Sequence, residues 1–188
     1  MQQVSDTFYT TYEVKRSTFT SYLIPWSVFE QTRKQLHKQH PKASHIVWAY
    51  RHLNEYDQIV ENSTDDGEPK GCAGNPTLAQ LRGADLINTA LLTVRYFGGI
   101  KLGTGGMVRA YSDAAREVIT HAALHPYIKK SAVVLETSYA NVKRYEHFFT
   151  QQGIDFRERE FNTEGVIWHL QLSEEEQKAL KLFQTSRK

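Results

Sequence analysis

The stretch "RYFGGIKLGTGGMVRAYSDAA" (Arg95–Ala115) opens as the end of a strand and closes as a helix, with five glycines between Gly98 and Gly106. Just upstream, "LLTVRYF" (Leu91–Phe97) has the length and apolar character of a buried strand. Downstream, Met107, Tyr111, Ala114, Val118 and Ala122 recur at helical spacing, which predicts an amphipathic helix from about Gly106 to Ala123. Glycine lets the backbone reach positive φ and lets a partner approach without a Cβ in the way. The first N–H groups of a helix lack intrahelical acceptors and carry partial positive charge. A junction built from Gly98, Gly99, Gly103, Thr104, Gly105 and Gly106 therefore suits a phosphate or carboxylate, and Arg95, Lys101 and Arg109 add full charges around it. The pattern is neither a Walker loop, which ends in Gly-Lys-Ser/Thr, nor a dinucleotide fingerprint in frame. Two readings stay open: an anion site for an RNA backbone phosphate, or a tight turn with Arg109, Asp113 and Arg116 as a salt-bridged solvent face.

The flanking sequence supplies the rest of an α/β unit. "STFTSYLI" (Ser17–Ile24) reads as a strand ended by Pro25. Ser27 and Glu30 have the spacing of a capping box for a helix reaching about His40, with Val28, Thr32 and Leu36 inward. "HIVWAYRH" (His45–His52) and "QIVEN" read as a hairpin, "TLAQLRGA" as a short helix, and "HPYIKKS" (His125–Ser131) as a linker. Beyond it a strand, a helix ending at Gly153, two strands and a helix capped by Ser173 and Glu176 give the order β-α-β-β-α. That is a ferredoxin-like sandwich without its closing strand. The expected domains are 1–127 and 128–188, and the fold class is α+β.

Charge is uneven along the chain. The net charge is +2, from 23 basic and 21 acidic residues, and the acids outnumber the bases, nine to eight, only over residues 131–188. A polyanion is thus expected to meet the first domain. Cys72 is the only cysteine, so no internal disulfide forms, which fits a reducing cytosol. No apolar run approaches a membrane span and no secretory signal is read at the N-terminus, so the expected location is cytoplasmic.

Between the hairpin and the short helix lies "STDDGEPKGCAGNP" (Ser63–Pro76), a long loop. Its acids Asp65, Asp66 and Glu68 lack the alternating spacing of an EF-hand. They are expected to pack beside the glycine-rich loop and pair with Arg95 or Arg109, each loop fixing the other's shape, with no metal and no cofactor. Cys72 with His45 as base is a conceivable nucleophile pair, but no residue is placed to orient that histidine. His37 and His40 read as surface histidines. Trp48 and Tyr50 alternate away from Val47 and Ala49. They either enter a core or, beside His45 and Arg51, stack on unpaired bases, and Tyr96 and Phe97 pose the same question.

The segments "ASHIVWAYR", "DDGEPKGCAGNP" and "VRYFGGIKLGTGGMVRAYSDAA" resemble the IMPACT family, whose bacterial members are often called YigZ-like. The resemblance covers about residues 15–125 strongly. It implies a first domain similar to the second domain of a small-subunit ribosomal protein and a second domain similar to domain V of elongation factor G. It also implies a role near translation, with RNA, a ribosome-associated factor or a protein as partner. The resulting expectation is a non-catalytic nucleic-acid-binding protein of translation regulation. The alternative is a hydrolase or phosphate-ester enzyme using the acidic loop, His45 and the glycine pocket.

Overall fold

The computed structural model describes residues 1–186 as two compact units, Met1–Tyr127 and a second beginning at Ile128. In the first, β1 (Gln2–Gln3), β2 (Phe8–Val14), β3 (Ser17–Pro25), α1 (Phe29–Gln39), β4 (His45–Leu53), β5 (Ile59–Thr64), α2 (Gly74–Gly83), β6 (Thr89–Tyr96), α3 (Thr104–His121) and β7 (His125–Pro126) follow in order. Five strands form one sheet in the order β2-β3-β6-β4-β5, every neighbouring pair antiparallel. Central β6 is buried from Thr89 to Arg95, because helices cover it on both faces. An unbroken apolar run is the sequence consequence of that position.

Alternation divides the sheet residues between two cores. On the inner face Phe19, Leu23, Val47, Ala49 and Leu91 pack with Leu78 and Leu81 of α2 and with Ala110, Tyr111, Ala114, Ala115 and Val118 of α3. On the outer face Ile24, Ile46, Leu92 and Val94 pack with Phe29 and Leu36 of α1. The fixed period of two along β4 thus sends Trp48 and Tyr50 outward, where Phe29 meets both rings edge-on at 5.4 Å. They are packed beneath α1, so of the two alternatives they take the core.

Local signals also differ in places from expectation. Ser27 makes no cap bond; a short 3-10 turn, Trp26–Val28, leads into α1 instead, and Trp26 stacks on Phe29 at 5.2 Å. The expected linker after His125 is partly structured, since β7 pairs with β1 and ties the N-terminus to the end of the unit. The sequence reading left out β2, although "FYTTYEV" is rich in β-branched and aromatic residues. It pairs with β3 through a two-residue turn in which Lys15 and Arg16 both hold positive φ, 45° and 64°. That is the conformation hairpins usually give to Asn-Gly.

The second unit contains β8 (Ser131–Ser138), α4 (Val142–Gln152), β9 (Arg159–Phe161), β10 (Gly165–Leu172) and α5 (Glu174–Thr185). Its sheet order is β8-β10-β9, antiparallel throughout. Phe148 and Phe149 of α4 and Leu180 of α5 pack against Val166, Trp168, Leu170 and Leu172 on one face. Gly153 ends α4 in the left-handed conformation, and Ser173 with Glu176 forms a complete capping box on α5. Among the described residues no strand pairs with the free edge of β8, where a ferredoxin-like fold places its fourth strand. The first of the two strands expected after Gly153 spans only Arg159–Phe161.

Candidate functional site: an open helix entrance beside a closed charge network

Arg95 and His45 face each other across β6 and β4 on the inner side of the sheet. The acidic loop folds over them. Arg95 Nη1 donates to Glu68 Oε1 at 2.5 Å, and both side chains are almost fully buried. The Tyr111 hydroxyl donates to the same oxygen at 2.8 Å. Burial first, then the adjoining Glu68 carboxylate, pushes the Tyr111 phenol far up, so it remains a donor. The guanidinium lies against the rings of Phe19 and Phe97, 5.3 and 5.8 Å from their centroids. Arg95 is therefore a buried, neutralised cation. This corrects its expected place on a polyanion, because releasing it would strand Glu68 in a dry site.

The other acids of the loop are equally committed. The Asp65 carboxylate accepts from the amides of Gly71, Ala73 and Gly74 at 2.7–3.0 Å and so caps α2 from nine residues upstream. Burial alone would raise its pKa; those three amides outweigh it and hold it below the ordinary value. Asp66 accepts from the Ile46 amide at 2.6 Å, and its carbonyl lies 2.7 Å from His45 Nδ1. His45 Nε2 is 3.7 Å from Glu68, beyond hydrogen-bond reach. The Cys72 thiol is buried. A nucleophile with His45 as base has no support in this geometry, since both ring nitrogens face the acidic loop. Among the described residues no group of three His, Cys, Asp or Glu is placed to hold a metal. Arg51, expected beside stacking aromatics, is buried on Glu61 at 2.6 Å and on the Leu86 carbonyl at 2.9 Å, a second correction with the same cause.

The glycine-rich loop divides into a closed half and an open half. The Gly98 amide donates to Ser17 Oγ at 3.1 Å, and a Cβ on Gly98 would overlap the Arg16 carbonyl group. Its role is close packing on the β2–β3 turn, which corrects its assignment to an anion. Gly103 behaves differently. It is the N-cap of α3 with φ 73°, a conformation that suits glycine, and it offers no side chain to the helix. The amides of Thr104, Gly105 and Gly106 consequently meet no backbone or side-chain acceptor among the described residues. Thr104 and Gly105 are exposed, as is Gly99. Lys101 and Arg109 are exposed beside them and form no ion pair among the described residues.

Lys15, Arg109, Leu102 and Gly106 line a groove of about 160 Å³ together with Tyr12 and Asp113. Asp113 is the acid of this groove, and it is engaged by Arg116 at 2.6 Å. Gly103, Thr104, Gly105 and Gly106 form the start of α3, with the Arg109 guanidinium beside Gly105, and Gly99 and Lys101 precede them as exposed loop residues; Arg95, Gly98 and Arg51 are committed to the protein itself. Lys15 escaped the sequence reading because β2, whose turn carries it, was not recognised.

With the geometry defined, similarity to known proteins places it. The Impact N-terminal domain model matches residues 15–119, which include the acidic loop, β6 and nearly all of α3. A Haemophilus influenzae IMPACT family member is 34% identical over 70% of this chain and 65% of its own length. YvyE, an IMPACT family member of Bacillus subtilis, is 39% identical over 57% of this chain and 50% of its own. A third, from Thermus thermophilus, is 33% identical over 85% and 86%. The match thus spans only half to two thirds of the first two relatives. The crystal structure of a hypothetical protein superposes with a TM-score of 0.70 over 99% of this chain and 92% of that one, at 25% identity. The chain belongs to the IMPACT family.

Proposed function

We propose that this chain is a non-catalytic, translation-linked binding protein that holds an RNA backbone phosphate at the entrance of α3. One observation carries the reading. Three amides uncapped among the described residues, Thr104, Gly105 and Gly106, open an 18-residue helix, with two exposed cations, Lys101 and Arg109, near them in the chain that form no ion pair among those residues. Helix-end amides and flanking cations are complementary to an oxyanion. The connection to translation comes from the family resemblance. The rival hydrolase needs a carboxylate or imidazole presented to substrate, whereas Asp65, Asp66, Glu68 and His45 all engage the protein itself.

Phosphate contacts release counterions, so affinity for RNA should fall steeply with salt. Lys101→Ala and Arg109→Ala should each weaken binding and flatten that dependence without changing the unfolding midpoint. Unchanged affinity in both variants would remove the site from this position.

A further inference from the structure

α1 covers the outer face of the five-stranded sheet over Ile24, Ile46, Leu92 and Val94, with Tyr22, Trp48 and Tyr50 partly buried against that cluster. Toward the edge strand β2 the face opens, and Tyr9, Thr11 and Glu13 are exposed. There Tyr9, 66% exposed, sits directly across from Tyr22, with ring centroids 5.9 Å apart and planes 29° from parallel. One step along, Thr11 and Thr20 join their hydroxyls at 3.2 Å. A step further, Thr18 lies across from Tyr96, which is 37% exposed. The Tyr96 hydroxyl is fixed 2.9 Å from His40 Nδ1, just beyond α1. Strand register puts Tyr9, Tyr22 and Tyr96 on one face of the sheet, and burial, then the neighbouring Tyr9 and Tyr96, push the Tyr22 phenol up. Alternation asks for polar residues on the open face of an edge strand. A large ring at an exposed position of β2 serves no core, and exposed apolar area on an edge is a liability.

Exposed basic residues stand in the chain at the end of α1 and at the β2–β3 turn. Lys38 and Lys42 flank His40 in sequence and are exposed without an ion pair among the described residues. At the far end of β2 the turn presents Lys15 and Arg16. Glu13 is the acid on the bare face of β2. Aromatic rings, hydroxyls and exposed cations match the three parts of an unpaired nucleotide: the face of its base, the edge of its base and its phosphate.

We propose that this sheet face binds single-stranded RNA, with bases stacked on Tyr9 and Tyr96, base edges meeting Thr11, Thr18 and Thr20, and the backbone drawn to those cations. The inference rests on the RNA reading above and adds the strandedness of the ligand. A duplex hides its base faces and offers these rings nothing. Tyr96 immediately precedes the loop that leads to α3, so the stacking face and the phosphate seat occupy consecutive stretches of chain.

The test uses the whole chain and a fluorescent oligouridylate of about 12 nucleotides, a length within the usual footprint of such surfaces, beside a duplex of equal length. Anisotropy should show tighter binding of the single strand. Tyr9→Ala should weaken it on the order of tenfold with an unchanged salt slope, while Tyr9→Phe retains it. Wild-type affinity in Tyr9→Ala, alongside weakened binding in Lys101→Ala and Arg109→Ala, overturns the stacking face and leaves the phosphate seat standing; so does equal affinity for the duplex. No binding of either RNA at low salt overturns both, and points to a protein partner.

Discussion

Arg95 and Lys101 lie six residues apart in sequence, one on β6 and one in the loop that follows, yet their charges meet opposite fates. Arg95 ends a central strand with protein on both sides, and an uncompensated guanidinium there would be prohibitive, so Glu68 and Tyr111 close around it. Lys101 lies beyond the last strand residue, in water, where an ion pair contributes little and none is formed among the described residues. The buried charges hold two loops in register. The exposed ones, Lys101 and Arg109, stand on either side of the start of α3 in sequence, and under the proposed function they meet a ligand. A cation's place relative to the sheet edge, rather than its place in a motif, settles whether it acts on the fold or on a partner.

This contrast can be broken first at the buried end. Arg95→Ala should lower folding stability by about 3–5 kcal/mol by leaving Glu68 buried and unpaired. The pair Arg95→Met with Glu68→Gln should recover much of that loss in a urea titration, whereas equal losses in both would mean that the charges themselves are not at issue. Asp65→Ala should cost about 2–3 kcal/mol, because three amides around the start of α2 lose their acceptor together.

The same carboxylate sharpens the comparison through pH. Asp65 is held below its ordinary pKa, and so is Glu61, chiefly by its bond to Arg82. In the unfolded chain both groups take up protons near pH 4. Their contribution is therefore complete above about pH 5 and lost as pH falls through the depressed folded values. Asp65→Ala should flatten the acid limb of the stability curve, and an unchanged limb would remove Asp65 from this role. At the exposed end, Arg16→Gly should stabilise by about 1 kcal/mol, by relieving a left-handed residue. Lys101→Ala and Arg109→Ala should stay within about 0.5 kcal/mol of the parent in the same titration.

Local pattern made much of the fold legible. The strand-to-helix change at Arg95–Ala115 identified β6 and α3, and the Ser173–Glu176 spacing identified a real cap. The errors arose where local signals compete with tertiary context. Ser27 and Glu30 have capping-box spacing, but Trp26 stacks on Phe29 and the helix starts later. The site was legible in its open half, since glycine at a helix start is a backbone property. Its closed half was not. Arg95 and Lys101 look alike in sequence, and only the cover given by Glu68, 27 residues upstream, separates them. The bare sheet face escaped for the same reason: Trp48 and Tyr50 are the conspicuous aromatics, but α1 covers them and leaves Tyr9 open.

The most direct test is the salt dependence of binding to single-stranded RNA, measured for the parent and for the Lys101→Ala/Arg109→Ala double variant. Each phosphate contact on a single strand contributes about 0.7 to the slope of log K against log salt, so the double variant should be shallower by about 1.4. Identical slopes, with both proteins folded, would contradict the assignment of an anion seat to the entrance of α3.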